Sequence, residues 1–84
     1  MVYFGRARNH PKVVARGYEY MLHYKDQDKA RWRCKNISKT KCKSRLHTIG
    51  RHIKVLHMHN HEGPIINYEN LVPTMMILLK TDAD

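Results

Sequence analysis

Four potential metal ligands spaced as Cys34-x7-Cys42-x16-His59-x-His61, with Trp32 two residues ahead of the first cysteine, constrain this chain more than any other feature. A chain of 84 residues makes one small domain, which buries only about 60% of the surface its unfolded form exposes. The aromatic complement is thin, one Trp, one Phe and five Tyr, so the fold needs a covalent or metal staple. Two cysteines permit one disulfide, whereas secreted mini-domains usually carry four or more. No signal peptide is apparent after Met1, so the chain reads as soluble and intracellular, where cysteines near histidines more often hold a metal.

Two thiolates and two imidazoles are a tetrahedral donor set for structural zinc. In an extended strand, residues i and i+2 face the same way about 6–7 Å apart, so His59 and His61 can turn toward one ion while Asn60 points away. Cys34 closes one strand and Cys42 opens the next after a loop, which lets the two thiolates converge. Parity alone leaves the histidine register open, because His57, His59 and His61 alternate along one strand and any two neighbours satisfy the geometry. The spacing excludes the common helical finger, which needs a short C-x2-4-C knuckle and an H-x3-5-H pair on a helix.

Alternation sets the expected strands. Tyr18, Tyr20, Leu22 and Tyr24 alternate, which predicts a strand with four bulky residues on one face. Ala30 to Cys34 resumes the pattern after a polar turn at Lys25 to Lys29, with Trp32 and Cys34 on one side and Arg31 and Arg33 on the other. Lys12 to Ala15, Ser44 to Thr48 and His52 to His57 are further strands. Val2 to Pro11 reads as an entry loop with an aromatic anchor, ended by Pro11. Past Gly63-Pro64 the tail is apolar, and Thr74 after Pro73 suits a helix cap or a strand equally. The expected fold is mainly β, a small zinc-stabilised antiparallel sheet of four or five strands spanning residues 1–63, with a C-terminal tail over residues 64–84.

Charge suggests a partner. Lys and Arg total 16 against 7 Asp and Glu, and residues 1–63 hold 15 of the basic but only 4 of the acidic residues. Arg31, Arg33 and Lys35 on one strand face, continued by Lys39, Lys41, Lys43 and Arg45, form a surface able to track phosphates or enter a major groove. The contiguous apolar residues Met75, Met76, Ile77, Leu78 and Leu79 offer either a protein interface or a segment that folds back on the core. That run is far shorter than the ~20 residues that span a bilayer, so no membrane role is expected. Tyr18, Tyr20, Trp32 and Phe4 are expected to pack in the core rather than stack on bases. No phosphate-binding glycine loop, paired carboxylates or nucleophile with a base appears. The His-Asn-His run lacks the ββα context of an HNH nuclease, so neither an enzyme nor a small-molecule substrate is expected.

The run Phe4, Val13, Gly17-Tyr18-Glu19-Tyr20, Trp32-Arg33-Cys34, Lys41-Cys42-Lys43-Ser44-Arg45, Thr48 and His59-Asn60-His61 resembles the FLYWCH zinc finger over about residues 3 to 62. The resemblance implies one zinc ion per chain, held by Cys34, Cys42, His59 and His61, and so favours the last two histidines. A valine, Val13 or Val14, stands where the family has leucine. The resemblance further implies a sheet-based module related to WRKY and GCM DNA-binding domains. It implies a nuclear, chromatin-associated role in transcription regulation or insulator function, with a DNA-binding or insulator protein as partner. The alternative is direct binding of double-stranded DNA. Similarity to the variable C-terminal ends of insect BTB chromatin proteins implies a segment of a longer chain.

Overall fold

A computed structural model describes residues 2–56 and 58–79. It contains eight strands: β1 (Val2–Ala7), β2 (His10–Ala15), β3 (Tyr18–Asp26), β4 (Lys29–Cys34), β5 (Arg45–Ile49), β6 (His52–Leu56), β7 (Val72–Thr74) and β8 (Ile77–Leu78). A one-turn helix α1 (Ile37–Thr40) precedes Cys42. The mainly β class is as expected, but the strand count exceeds four or five, and the difference lies at both ends of the chain.

Val2 to Pro11 is not an entry loop. It forms β1 and the start of β2, joined by a two-residue turn in which Arg8 and Asn9 have φ of 51° and 69°. Two positive φ values make the turn whose twist suits a hairpin. Pro11 survives inside β2 for a geometric reason. The pair beside a two-residue turn, Ala7 and His10, is the hydrogen-bonded kind, so the next pair, Arg6 and Pro11, is not. The Pro11 nitrogen therefore faces away from β1, on the side where pairing with β3 begins only at Lys12, and no ladder bond is lost. Arg16-Gly17 makes a second turn of the same kind, with φ of 53° and 81°.

The turn between β3 and β4 is shorter than the five polar residues suggest. Asp26 pairs with Lys29, leaving Gln27 and Asp28. A bulge between Leu22 and Tyr24 also breaks the expected face. Leu22 stands opposite Trp32, but Tyr24 stands opposite Arg31, so the extra residue His23 has moved Tyr24 to the other side of the sheet. Tyr24 is accordingly 55% exposed, with the Arg31 guanidinium 6.0 Å from its ring centroid.

The inner face follows from the register. Phe4, Val13, Tyr20 and Cys34 form one row, Leu22, Trp32, Leu46 and Val55 a second, and Ala30, Thr48 and Ile53 a third. Val13 and Leu46 are completely buried. Trp32 donates its indole N–H to Thr48 Oγ1 at 3.0 Å and meets Phe4 edge to face at 6.1 Å. The polar atom of the largest side chain is thus satisfied where water does not reach it.

The tail folds back. The sheet order is β7-β1-β2-β3-β4-β5-β6-β8, and only Met75 and Met76 separate its first strand from its last. β7 runs antiparallel to β1 and β8 parallel to β6, with Ile77 N–H donating to the Arg51 carbonyl at 2.7 Å and Leu79 N–H to Ile53 at 2.8 Å. One passing segment therefore covers both edges and closes the curled sheet, and Met76 packs on the core. Leu71 lies over Gly5, where a Cβ would collide with it. Thr74 belongs to a strand, not to a helix cap. Among the described residues no helix is long and apolar enough to cross a membrane.

Deleting residues 71–84 is expected to uncover both edges and the contacts of Met76. A partly buried methionine and two edge hydrogen bonds together contribute about 2–4 kcal/mol, which lowers the Tm by roughly 10 °C or more in a domain of this size. Thermal circular dichroism of the metal-loaded protein, with hydrogen exchange at Phe4 and Ile53, measures it; an unchanged Tm would contradict the closure.

Candidate metal centre and basic face

Cys34 ends β4 opposite Tyr20. The chain then makes α1, and Lys41, at φ 56°, ends it in the left-handed conformation that reverses a helix terminus. This reversal returns Cys42 beside Cys34, and Asn60 Nδ2 donates to the Thr40 carbonyl at 2.7 Å, drawing the histidine segment against the same loop. Asn60 does point away from the centre, and its amide is the tether.

One donor atom each from Cys34, Cys42, His59 and His61 lies within 4.8 Å of all the others. The facing atoms are specific. His59 Nδ1 is 3.6 Å from Cys34 Sγ and 3.4 Å from Cys42 Sγ, and His61 Nε2 is 3.2 Å from Cys34 Sγ. An ion bound at about 2.0–2.3 Å by four tetrahedral ligands separates them by about 3.3–3.8 Å, so the donors stand at close to the required spacing and can hold one metal ion. The four residues of the expected register are brought together; His57 lies outside the described residues.

Around the donors the protonation chemistry is uneven. Burial pushes the Cys34 thiol up to about 11, with Cys42 adding to the rise and the Asn36 backbone N–H opposing it. Burial acts on Cys42 in the same direction, but the backbone N–H groups of Ser44 and Asn60 outweigh it and hold that thiol below its ordinary value. Burial, then the charge of His61, lowers His59 to about 4, so its imidazole is neutral at pH 7, as a ligand must be.

Two tyrosines assigned to the core by alternation also serve the centre. Tyr18 stacks on His59 with ring centroids 3.5 Å apart and planes 5° from parallel, and its hydroxyl donates to the His61 carbonyl at 3.0 Å. Tyr20 Oη is 2.7 Å from His59 Nε2 and 3.1 Å from Ser44 Oγ. Alternation revealed that these residues face inward; nothing in the linear pattern revealed that the histidines would land on them.

The seven basic residues singled out from sequence do not act alike. Arg31 and Arg33 do share the outer face with Arg45. Arg33 pairs directly with Arg45, and Arg31 with His47, which in turn pairs with Lys54. Lys35 is instead committed, with Lys12, to the buried Glu19 at 3.5 and 3.4 Å. Lys39, Lys41 and Lys43 are exposed around the cysteine loop. Arg45 Nη1 also donates to the Ser44 carbonyl at 3.1 Å, bracing that loop. Burial, then the charges of Arg31 and Lys54, lowers the pKa of His47. His47 and Lys54 were missed because their rows depend on register.

A family model for the FLYWCH zinc finger domain matches residues 3–61. The chain belongs to the FLYWCH zinc finger family. No curated protein matches the chain. The family match ends at the second histidine of the cluster, so β7 and β8 lie beyond it while pairing with strands inside it. Together, the FLYWCH match and the donor cluster identify a zinc-binding interaction module.

Metal analysis of the purified chain is expected to give one zinc per molecule. Structural zinc supplies about 10–16 kcal/mol in finger peptides, so chelation is expected to abolish the sheet signal in circular dichroism, and Cys34→Ser is expected to leave the chain unfolded. A metal-free chain with an unchanged spectrum would refute the centre.

Proposed function

We propose that this FLYWCH finger is a nuclear, chromatin-associated recognition module in transcription or insulator regulation, and that its outer β4–β5–β6 face binds double-stranded DNA. Like charges directly opposite each other destabilise a sheet, yet Arg33 faces Arg45, and Arg31 and Lys54 flank His47 in the next row. This arrangement supports a polyanionic partner, which turns the repulsion into binding free energy through released counterions. The zinc serves the fold and not a reaction. Four protein donors complete a tetrahedron, whereas catalytic zinc keeps a position open for water or substrate.

A second reading, docking to a DNA-binding or insulator protein, is supported by the tail. Met75, Ile77 and Leu78 are 75%, 57% and 52% exposed even while their backbone closes the sheet. An isoform-specific end of a BTB-containing chain would place such a surface where partners are selected.

Fluorescence anisotropy with a short duplex across a salt series separates the two. Direct binding is expected to weaken linearly in log salt, with a slope near −0.9 per phosphate neutralised. Arg31→Ala and Arg33→Ala are each expected to weaken binding to any sequence and reduce the slope by about one. No duplex binding at low salt would leave protein docking as the surviving function, and duplex binding unaltered in both variants would place the DNA contact away from the outer β4–β5–β6 face.

A further inference from the structure

We infer that Tyr20, backed by Ser44, is a positioning residue that selects which ring nitrogen of His59 meets the metal. The inference rests on the metal-centre reading and concerns residues outside the donor set. His59 turns Nδ1 toward both cysteine sulfurs, while His61 turns Nε2 toward Cys34. The two histidines of one His-x-His run thus present opposite nitrogens. Each neutral ring then carries its proton on the other nitrogen, and that N–H needs an acceptor.

His61 Nδ1–H donates to the Glu62 carbonyl at 2.9 Å, a local contact near the surface. His59 Nε2–H has a more distant partner in sequence. It donates to Tyr20 Oη at 2.7 Å, leaving the tyrosine hydroxyl to donate to Ser44 Oγ at 3.1 Å and the serine to donate to the Leu56 carbonyl at 3.4 Å. Every donor in this chain points the same way, and it ends on β6, three residues before His59. Tyr20 is 2% exposed and Ser44 is fully buried, so water does not readily replace either hydroxyl. Tyr18 stacked on the ring face hinders rotation. Partners of this kind fix the tautomer of a ligating histidine and raise its basicity.

The test uses the full zinc-loaded chain, with zinc affinity from chelator competition and the His59 tautomer from ring-nitrogen NMR. The parent is expected to bind one zinc with the His59 proton on Nε2 and slow to exchange. Tyr20→Phe keeps the ring and removes the hydroxyl; it is expected to retain one zinc, lose about 10–100-fold in affinity and exchange the Nε2 proton faster. Ser44→Ala is expected to lose less, and the double variant no more than Tyr20→Phe alone, because both act through one chain. A purely packing role would leave the proton exchange unaltered. Unchanged affinity and exchange in Tyr20→Phe, or a proton found on Nδ1 of His59, would overturn the inference while leaving the metal centre intact. Should Tyr20→Phe not fold, unchanged affinity and exchange in Ser44→Ala would overturn it. A parent that binds no zinc would overturn the metal-centre reading and the inference with it.

Discussion

The convergence of two thiolates and two imidazoles joins parts of the chain that otherwise meet only through a few hydrogen bonds. Cys34 is fixed by β4, but Cys42, His59 and His61 stand on segments without strand pairing of their own. Closing those segments costs conformational entropy, and the surrounding core is a single layer of modest side chains. Metal coordination offsets that cost with a free energy comparable to the whole stability of a typical domain. The conformations of the cysteine loop, α1 and the segment carrying His59 and His61 therefore depend on the centre.

Protein structure also prepares the donors before an ion arrives. The Ser44 and Asn60 N–H groups favour the Cys42 thiolate, whereas Cys34 is buried and held protonated. A bound cation would stabilise both thiolates. Tyr18 and Tyr20 join the hydrophobic layer to this site. Each presents its ring to neighbouring side chains and its hydroxyl to the centre, so packing of the sheet and orientation of the histidines are one event.

Much of this was legible in sequence because the informative signals were local. Alternation identified the central strands and put Trp32 and Cys34 opposite Arg31 and Arg33, and donor spacing with the family resemblance gave the ligand set. What was illegible depended on pairing. Pro11 marks a break in a linear reading, yet it is harmless on the side where β3 has not begun. The His23 bulge cannot be seen in the Tyr18–Tyr24 alternation, and it moves Tyr24 across the sheet. The fate of Met76 turns on whether β1 and β6 present open edges close enough for one segment to cover, which is a property of the curl.

The three tasks of the chain fall on different surfaces. The metal centre lies at the end where the cysteine loop and histidines meet, closure falls to the tail along β1 and β6, and the cationic rows occupy the outer face of β4, β5 and β6. Inward residues of these strands are fixed by packing, while outward residues at the same register positions are not, because side chains alternate. The outward rows can therefore carry a mutually repulsive set of charges whose cost the metal and core absorb. A scaffold of this construction can change the charge of its outer face by changing outward residues alone. The tail is different: its apolar side chains serve closure and exposure together, so altering Met76 perturbs the fold whereas altering Met75 changes only exposed surface.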